Sequence, residues 1–544
     1  MAEREAAGEL EEGSEGNPSV TPRVARRQMR DFLRHHEQRR RQLPRALLVG
    51  LLAGLVAVGF QFMLVKANHL RDWIIDFSQN AGWWGFLLPM AFGAAGVSFA
   101  LIVVQRFEPD AAGSGVPHLK AVLHHLRGFR WRRILPVKFF GGVSAIGAGL
   151  ALGREGPTIQ MGGAIGQMVS GWFKSTPRET QTLVAAGAGA GLSAAFNAPL
   201  AGLVFVLEEV QRDFAPAVFT VTLIASVTAD ITARYLLGHL PIFTVGEIPI
   251  PPLSSLPISL LLGVAAAMVG VLFNRMLVRT ADLYQKVAHW PRWVLGSLVG
   301  GAIGLVGYFV PGALAGGHDL VEATLAGQLG LLLLLSFFAL RFVLTMASYG
   351  TGAAGGIFAP MLVLGAALGS FVGQISHTIL PEIVTHPQTF AVVGMAALFT
   401  AIVRAPLTGI VLMVEMTGEY GLVLPLLVAS LTAGGLADYF GDKPIYEVLL
   451  KRDLTRWQEK PQLAETLLLE LVVAPDAPFD GREVRELGLP PGCILITVHR
   501  GLNAEVPTAT FKLAAGDRIT VVVAPQAAEA VGLLHDGTGS ENQV

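Results

Sequence analysis

The apolar positions of this chain fall in long blocks, with the charges bunched outside them. Residues 47–65, 83–104, 256–273, 291–310 and 327–340 are apolar and nearly uncharged. Several reach the roughly 20 residues that a helix needs to cross a hydrocarbon core. Two other apolar stretches, 182–195 and 390–402, are too short to cross fully as straight helices. They predict re-entrant helices, which are tolerated only where protein buries their ends or water reaches them. After residue 450 the pattern changes. LLLELVVAP (467–475), CILITVHRG (493–501) and DRITVVVAP (517–525) read as strands rich in β-branched residues. GREVRELGLP reads as a short helix, and GLNAEVP and LAAGD as turns. The expectation is an all-α polytopic membrane protein followed by a small α/β module. At about 65 residues that module lies near the lower limit for a stable core and calls for a partner copy.

Composition agrees. The 544 residues are 52% hydrophobic and only 15% charged, where soluble proteins average about a quarter charged. Glu3, Glu5, Glu9, Glu11, Glu12 and Glu15 form an acidic, disordered head. A basic segment from Arg23 to Arg45 then precedes the first apolar run. A nucleic-acid-binding arm is the weaker account of that segment, and no nucleic-acid partner is expected. The excess of cytoplasmic Lys and Arg explains it more simply and puts the N-terminus in the cytoplasm. Lys443, Lys451, Arg452 and Arg456 place the C-terminal region there too. The first apolar run begins too late for a signal peptide. The single cysteine, Cys493, excludes an intrachain disulfide and a cysteine-cluster metal site. The expected organisation is a cytosolic tail (1–43), a membrane domain (44–450, with halves at about 44–240 and 250–450), a linker (451–464), the module (465–535) and a disordered tail (536–544).

The membrane domain repeats itself. EGPTIQMGGAIGQ (155–167) lies over FAPMLVLGAALGS (358–370), matching Pro157 with Pro360, Gly162 with Gly365 and Gly166 with Gly369. GAGAGLSAAFNAPLAGLVFVLEE (187–209) lies over GMAALFTAIVRAPLTGIVLMVEM (394–416), matching Gly187, Pro199, Gly202 and Glu208 with Gly394, Pro406, Gly409 and Glu415. Duplication of this kind is the usual build of secondary transporters.

Three Gly/Pro motifs, GSGVP (113–117), GREGP (153–157) and GGIFAP (355–360), each stand at an expected helix start. Glycine allows close approach of backbone to a ligand, and proline in the first turn needs no N–H partner. Together they predict helix N-termini with free amides, a site for an anion. The Ser114 hydroxyl adds a neutral donor. Partial charges hold an anion without trapping it. Carboxylates are the second signal, because a charge at bilayer depth costs about 2.5–3.5 kcal/mol on insertion scales. For the repeat mates Glu208 and Glu415 the expected role is to cap helices or to pair with Arg154, Arg212 or Arg404. Glu155 opens a helix at its anion-attracting end, where it competes with a free anion for the same amides and leaves on protonation. Glu209 ends an apolar helix, open to a proton from the cytoplasm.

In this order and spacing, GSGVP, LPVKFFGG, GREGPT, GGIFAP and the Tyr446 of KPIYEVLL resemble the CLC chloride channel and transporter family over about residues 44–450. The resemblance implies an inverted-repeat fold, a homodimer with one anion pathway per subunit, and a place in the cell's plasma (inner) membrane. It implies that Ser114 and Tyr446 coordinate a central chloride, joined by Gly115 and by the amides of Ile357 and Phe358. Amides from Arg154 to Gly156 would line an outer position blocked by Glu155 as the gate. Glu209 resembles the internal proton glutamate of exchangers, which points to chloride/proton antiport with no cofactor. The alternative is a passive, voltage- or pH-gated chloride channel. Nitrate-preferring members tend to have proline where Ser114 stands, so chloride is expected. His118 and Lys120 depart from relatives with acidic residues there, a difference expected to lie in a loop or interface. VRELGLPPGCILITVHRG and EVPTATFKLAAGDRITVVV resemble the TrkA-C (RCK-C) type of regulatory module, which leaves binding of a small-molecule regulator and plain dimerisation both open. HExxH, GxSxG and GxxxxGK[ST] motifs are missing, so neither an intramembrane hydrolase nor an ATP-driven pump is expected.

Overall fold

The computed structural model describes residues 22–212, 214–238, 251–287, 289–456, 466–501 and 503–539, with side chains from Gln42 onward. The acidic head lies outside the described residues. The basic segment does not stay a tail, because the first helix runs unbroken through it.

The first half comprises α1 (Pro22–Gln79), α2 (Leu87–Phe107), α3 (Val116–Leu123), α4 (Trp131–Gly147), α5 (Glu155–Trp172), α6 (Pro177–Phe196), α7 (Pro199–Phe205) and α8 (Pro216–Leu237). The second comprises α9 (Leu256–Lys286), α10 (Arg292–Phe309), α11 (His318–Leu325), α12 (Leu331–Gly350), α13 (Phe358–Ile379), α14 (Thr389–Val403), α15 (Pro406–Thr417) and α16 (Val423–Tyr439), followed by α17 (Ile445–Arg456). Among the described residues, eight helices are long and apolar enough to cross a membrane. The stretch 182–195 is not short after all. A capping box between Thr176 and Glu179 starts α6 in the polar sequence ahead of it, and its 20 residues rise about 30 Å. Its mate α14, with 15 residues, stays short.

Glycine explains why the two repeat blocks match. A Cβ at Gly162 would run into the Gly187 carbonyl oxygen, and one at Gly187 into that of Gly162. Gly365 and Gly394 obstruct each other in the same way. Both α5 against α6 and α13 against α14 therefore cross backbone to backbone, the close approach that small residues permit between membrane helices. The repeat also extends further than the sequence comparison carried it. Short 3₁₀ turns at Pro109–Ala111 and Pro311–Ala313 precede α3 and α11, eight residues each, and both helices have a glycine with positive φ as N-cap, Gly115 and Gly317.

The end of α7 passes into a π turn at Val206–Val210. From that turn Glu208 accepts hydrogen bonds from the amides of Leu407 and Thr408 at 3.0 and 2.7 Å. Glu415, near the end of α15, accepts from the amides of Leu200 and Ala201 at 3.0 and 2.7 Å. Each carboxylate thus caps the first turn of the other's helix. That exchange requires α7 and α15 to run antiparallel side by side, related by a two-fold axis. Halves related in this way are inverted. The capping alternative is the correct one for this pair, since neither uses Arg154, Arg212 or Arg404 in these bonds.

The C-terminal module is an antiparallel sheet of β1 (Leu467–Val472), β2 (Cys493–Arg500), β3 (Asn503–Glu505) and β4 (Arg518–Val523), in the order β1-β4-β2-β3, with α18 (Ala530–Thr538). Val473, Phe479, Val498, Leu513, Ile519, Val521, Val523 and Leu534 form its core, and Leu126, between α3 and α4, packs against it. Some local expectations need correction. GREVRELGLP forms only the 3₁₀ turn Val484–Glu486, cut short by Gly488, whose φ is positive, and by Pro490. GLNAEVP supplies β3 as well as a turn. The stretch expected as linker is helical to Arg456. The expected tail begins inside α18, where Thr538 is buried.

Candidate functional site

The three Gly/Pro turns are tied to one another by backbone. Gly153 and Gly356 exchange N–H···O bonds of 2.7 and 2.9 Å, while Gly113 donates to the Ala353 oxygen and accepts from Gly355, both at 3.1 Å. These bonds pin the starts of α3, α5 and α13 together, so three helix N-termini meet in the protein interior. Their N-caps are Gly115, Arg154 and Ile357, and none of these residues caps its own helix with its side chain. Gly115 has φ of 84°, and a Cβ there would enter the Gln160 side chain, so glycine is required both by conformation and by space.

Two buried cations brace the turns ahead of α3 and α11. Lys138 of α4 donates to the carbonyls of Ala111 and Gly113 at 3.0 and 2.6 Å. Its counterpart on α12, Arg341, donates to those of Ala313, Leu314 and Ala315 at 2.9, 3.2 and 2.8 Å. Both are fully buried. The signal in the sequence is a single cation within an apolar run, Lys138 beyond the Arg132–Arg133 start of α4 and Arg341 as the one charge of α12. A second brace holds GSGVP from the side. Asp110 accepts from Arg127 at 2.7 Å and faces His118 at 3.4 Å, and Gln160 reaches the Asp110 carbonyl at 2.8 Å and His118 at 3.2 Å.

Two hydroxyls face each other within this enclosure. Ser114 and Tyr446 are buried, and neither the Ser114 Oγ nor the Tyr446 Oη has a hydrogen-bond partner that satisfies it, though the two lie close together. A buried polar group without a partner is uncommon. Here two such donors sit beside converging helix starts, an arrangement that suits an anion of small size. Phe358 packs among Phe399, Phe196 and Phe205 with tilted or edge-on rings whose centroids lie 4.7, 5.2 and 6.2 Å away.

Glu155 begins α5 and is buried. Its carboxyl faces the backbone amides of Glu155 itself and of Ala359, so it covers amides of both α5 and α13. Its Oε2 has no partner among the described residues. The Arg154 Nε lies 4.0 Å from Glu155 Oε1, and the guanidinium is anchored on the Ala195 carbonyl at 3.1 Å. Arg154 therefore holds the loop rather than presenting its charge to the enclosure.

The structure brings Ser114, Gly115, Glu155, Gly156, Ile357, Phe358 and Tyr446 together. It places Glu209 apart from them, in the π turn after α7. Lys120 donates to Glu209 Oε1 at 2.8 Å, and Arg212 lies 3.9 Å from Oε2 while pairing with Glu447 of α17. This corrects the expectation for His118 and Lys120. Both are buried on α3 and face inward within one subunit.

Cavities open on two sides. One of about 400 Å³ is lined by Arg154, Glu155, Asn197, Gly317 and His318, and another of about 240 Å³ by Ser114, Gly115, Arg127, Tyr349 and Arg452. Glu155 stands at the first, Ser114 at the second.

Comparison with known proteins agrees with this geometry. A family model described as voltage gated chloride channel matches residues 96–438, and one for the TrkA-C domain matches residues 468–534. The H(+)/Cl(-) exchange transporter ClcA of Klebsiella pneumoniae is 43% identical over 432 residues, covering 77% of this chain and 90% of that protein. The protein of the same name from Salmonella paratyphi A is 41% identical over 464 residues, covering 82% and 96%. The crystal structure of a slow cyanobacterial Cl-/H+ antiporter superposes with a TM-score of 0.73 at 37% identity, covering 77% of this chain and 99% of that one. A CLC-type fluoride/proton antiporter, 20% identical with a TM-score of 0.63, shares the fold. With a matched model over more than half its length and relatives above 40% identity, this chain belongs to the voltage-gated chloride channel (CLC) family and carries a TrkA-C domain behind its membrane fold.

Proposed function

We propose that this protein exchanges chloride for protons across a cell membrane by secondary active antiport. The observation that carries the reading is the convergence of three helix N-termini on two unsatisfied buried hydroxyls, Ser114 and Tyr446. Chloride would rest there on partial charges, taking the Ser114 and Tyr446 hydroxyls and the amides of Ile357 and Phe358. Glu155 stands between this site and the larger cavity on amides from Arg154 to Gly156, so carboxylate and anion compete for one set of donors. Protonation neutralises the carboxylate and frees the amides, which joins a proton's arrival to an anion's passage. Glu209 serves the other side as the proton-transfer glutamate. Relatives named as H(+)/Cl(-) exchangers support the choice of ions.

The protein would work as a homodimer with one pathway per subunit, in the cell's inner membrane, with both termini cytoplasmic by the distribution of Lys and Arg. The TrkA-C domain would bind a small-molecule regulator or hold two subunits together. Reconstituted liposomes provide the test. A chloride gradient should drive protons against their own gradient. Chloride flux with no accompanying proton movement, reversing at the chloride potential alone, would establish a passive channel instead.

A further inference from the structure

The Lys120–Glu209 pair is more than a local brace. Lys120 belongs to α3, whose N-terminus forms part of the Ser114 enclosure, and its Nζ lies 2.8 Å from Glu209 Oε1 with both side chains 1% exposed. The other oxygen, Oε2, makes no hydrogen bond among the described residues. The groups around Glu209 come from three elements: Lys120 and His124 from α3 and its end, Arg212 beyond the π turn, and Tyr446 and Glu447 from α17. Arg212 is committed to Glu447. The charges of Lys120 and Arg212 are thus balanced by Glu447 and by an ionised Glu209, and a proton on Glu209 leaves a buried excess of positive charge. An opposite charge at this distance favours the ionised carboxylate. Taking the partner from a buried pair strands the remaining charge.

We propose that Lys120 is a positioning residue that sets the threshold for proton entry, holding Glu209 ionised by one oxygen so that Oε2 alone accepts the incoming proton. This rests on the antiport reading. The proton forms an O–H bond at Oε2, the carboxylate becomes a neutral acid, and Lys120 keeps its charge throughout. Loading Glu209 must then work against Lys120, so coupled proton movement at a given pH is lower with the cation than without it and rises as the side facing Glu209 is acidified.

The experiment compares the full-length protein with Lys120→Met and Lys120→Arg in liposomes, varying the pH on the side facing Glu209 and recording chloride-driven proton movement. Without the cation the half-maximal proton concentration should fall by roughly tenfold to a thousandfold, the range an adjacent opposite charge produces on a carboxyl. Lys120→Arg keeps a cation and should return the profile to that of the parent. A purely structural lysine would lower activity at every pH and leave the profile in place. Should Lys120→Met fail to elute as folded protein on size exclusion, Lys120→Gln carries the same comparison with a polar side chain. Infrared titration supplies an arm independent of transport, following the protonated-carboxyl band that disappears in Glu209→Gln. That band should persist to higher pH in Lys120→Met than in the parent. If parent liposomes move no protons, the antiport reading fails and the infrared arm still judges Lys120. If the parent is coupled but both the transport profile and the band stay unmoved in Lys120→Met, the role of Lys120 is refuted and antiport stands.

Discussion

The two halves of the membrane domain supply the same scaffold and different chemistry. Each provides a long helix crossed backbone to backbone by its neighbour, a short helix with a glycine cap, a buried cation bracing the turn before it, and a carboxylate capping the other half. At the positions proposed to handle protons the likeness ends. Glu155 has Phe358 as its mate, and Glu209 has Met416, both of them buried. Symmetry is therefore kept where backbone must be positioned and broken where a titratable group is wanted. A fully symmetric site would present amides from both sides and no means of joining anion movement to protonation. On the proposed antiport, one duplicated scaffold with two carboxylates on a single half supplies both.

The largest expected effect comes from making the halves alike. Glu155→Ala removes the carboxylate that its mate Phe358 lacks. It should abolish chloride-driven proton movement and leave anion flux independent of pH in the same liposomes. Glu209→Gln should also stop proton movement, but anion flux should continue. If both variants still pump protons, the asymmetry between the halves has no part in coupling. Next in size, Tyr446→Phe or Ser114→Ala removes one hydroxyl from the enclosure. Loss of a hydrogen bond to a charged ligand costs about 1.5–3 kcal/mol, so chloride affinity measured by calorimetry should fall roughly tenfold or more. Smaller still are the reciprocal caps. Glu208→Ala and Glu415→Ala each leave two helix-terminal amides without a cap and should each cost about 0.5–2 kcal/mol in a denaturation series. Near-equal losses would sharpen the symmetry, and a loss confined to one half would break it.

The module behind the membrane domain offers the mildest contrast, because its titrating groups stabilise rather than conduct. Burial works against ionised Asp517, yet two hydrogen bonds from Arg500, at 2.8 and 2.7 Å, and one from the Ala514 amide at 2.8 Å hold its carboxyl below the usual range. Burial pushes the His535 imidazole below its ordinary value. A group depressed in the folded state stabilises above its unfolded value and loses that contribution as pH falls. Stability should thus decline first below about pH 6.5 through His535 and again below about pH 4 through Asp517. Hydrogen exchange at the β4 amides of the full-length protein, compared with Asp517→Asn and His535→Gln, measures both steps. The membrane domain should keep its protection over the first of them.

Much of this architecture was legible in the chain. The apolar blocks announced the membrane, and GSGVP, GREGP and GGIFAP announced helix starts, because glycine and proline have few other uses at such positions. The matched blocks announced the duplication through their glycines, since a close crossing tolerates no Cβ. The shortness of 182–195 misled, because a hydropathy pattern ignores the polar capped turn that lengthens α6. The 3₁₀ turn at Val484–Glu486 was read as a helix because alternating charge imitates a helical face. Lys120 was read as a loop or interface difference, since nothing local in GSGVPHLK reveals a partner 89 residues away.

The likeness of GSGVP, GREGPT, GGIFAP and Tyr446 to the CLC family pointed to the candidate site residues, while residue types and their order alone determined the membrane class, the duplication and the strand-rich module. Those follow from hydrophobic length, backbone conformation and local spacing, which are properties of contiguous sequence. Only the tertiary structure decided that the halves are inverted, that Glu208 and Glu415 cap each other's helices while Glu209 takes Lys120, and that Lys138 and Arg341 brace matching turns. Each of these depends on which buried charge meets which partner. In a low-dielectric interior a charge must find one, and packing selects it from groups far apart along the chain.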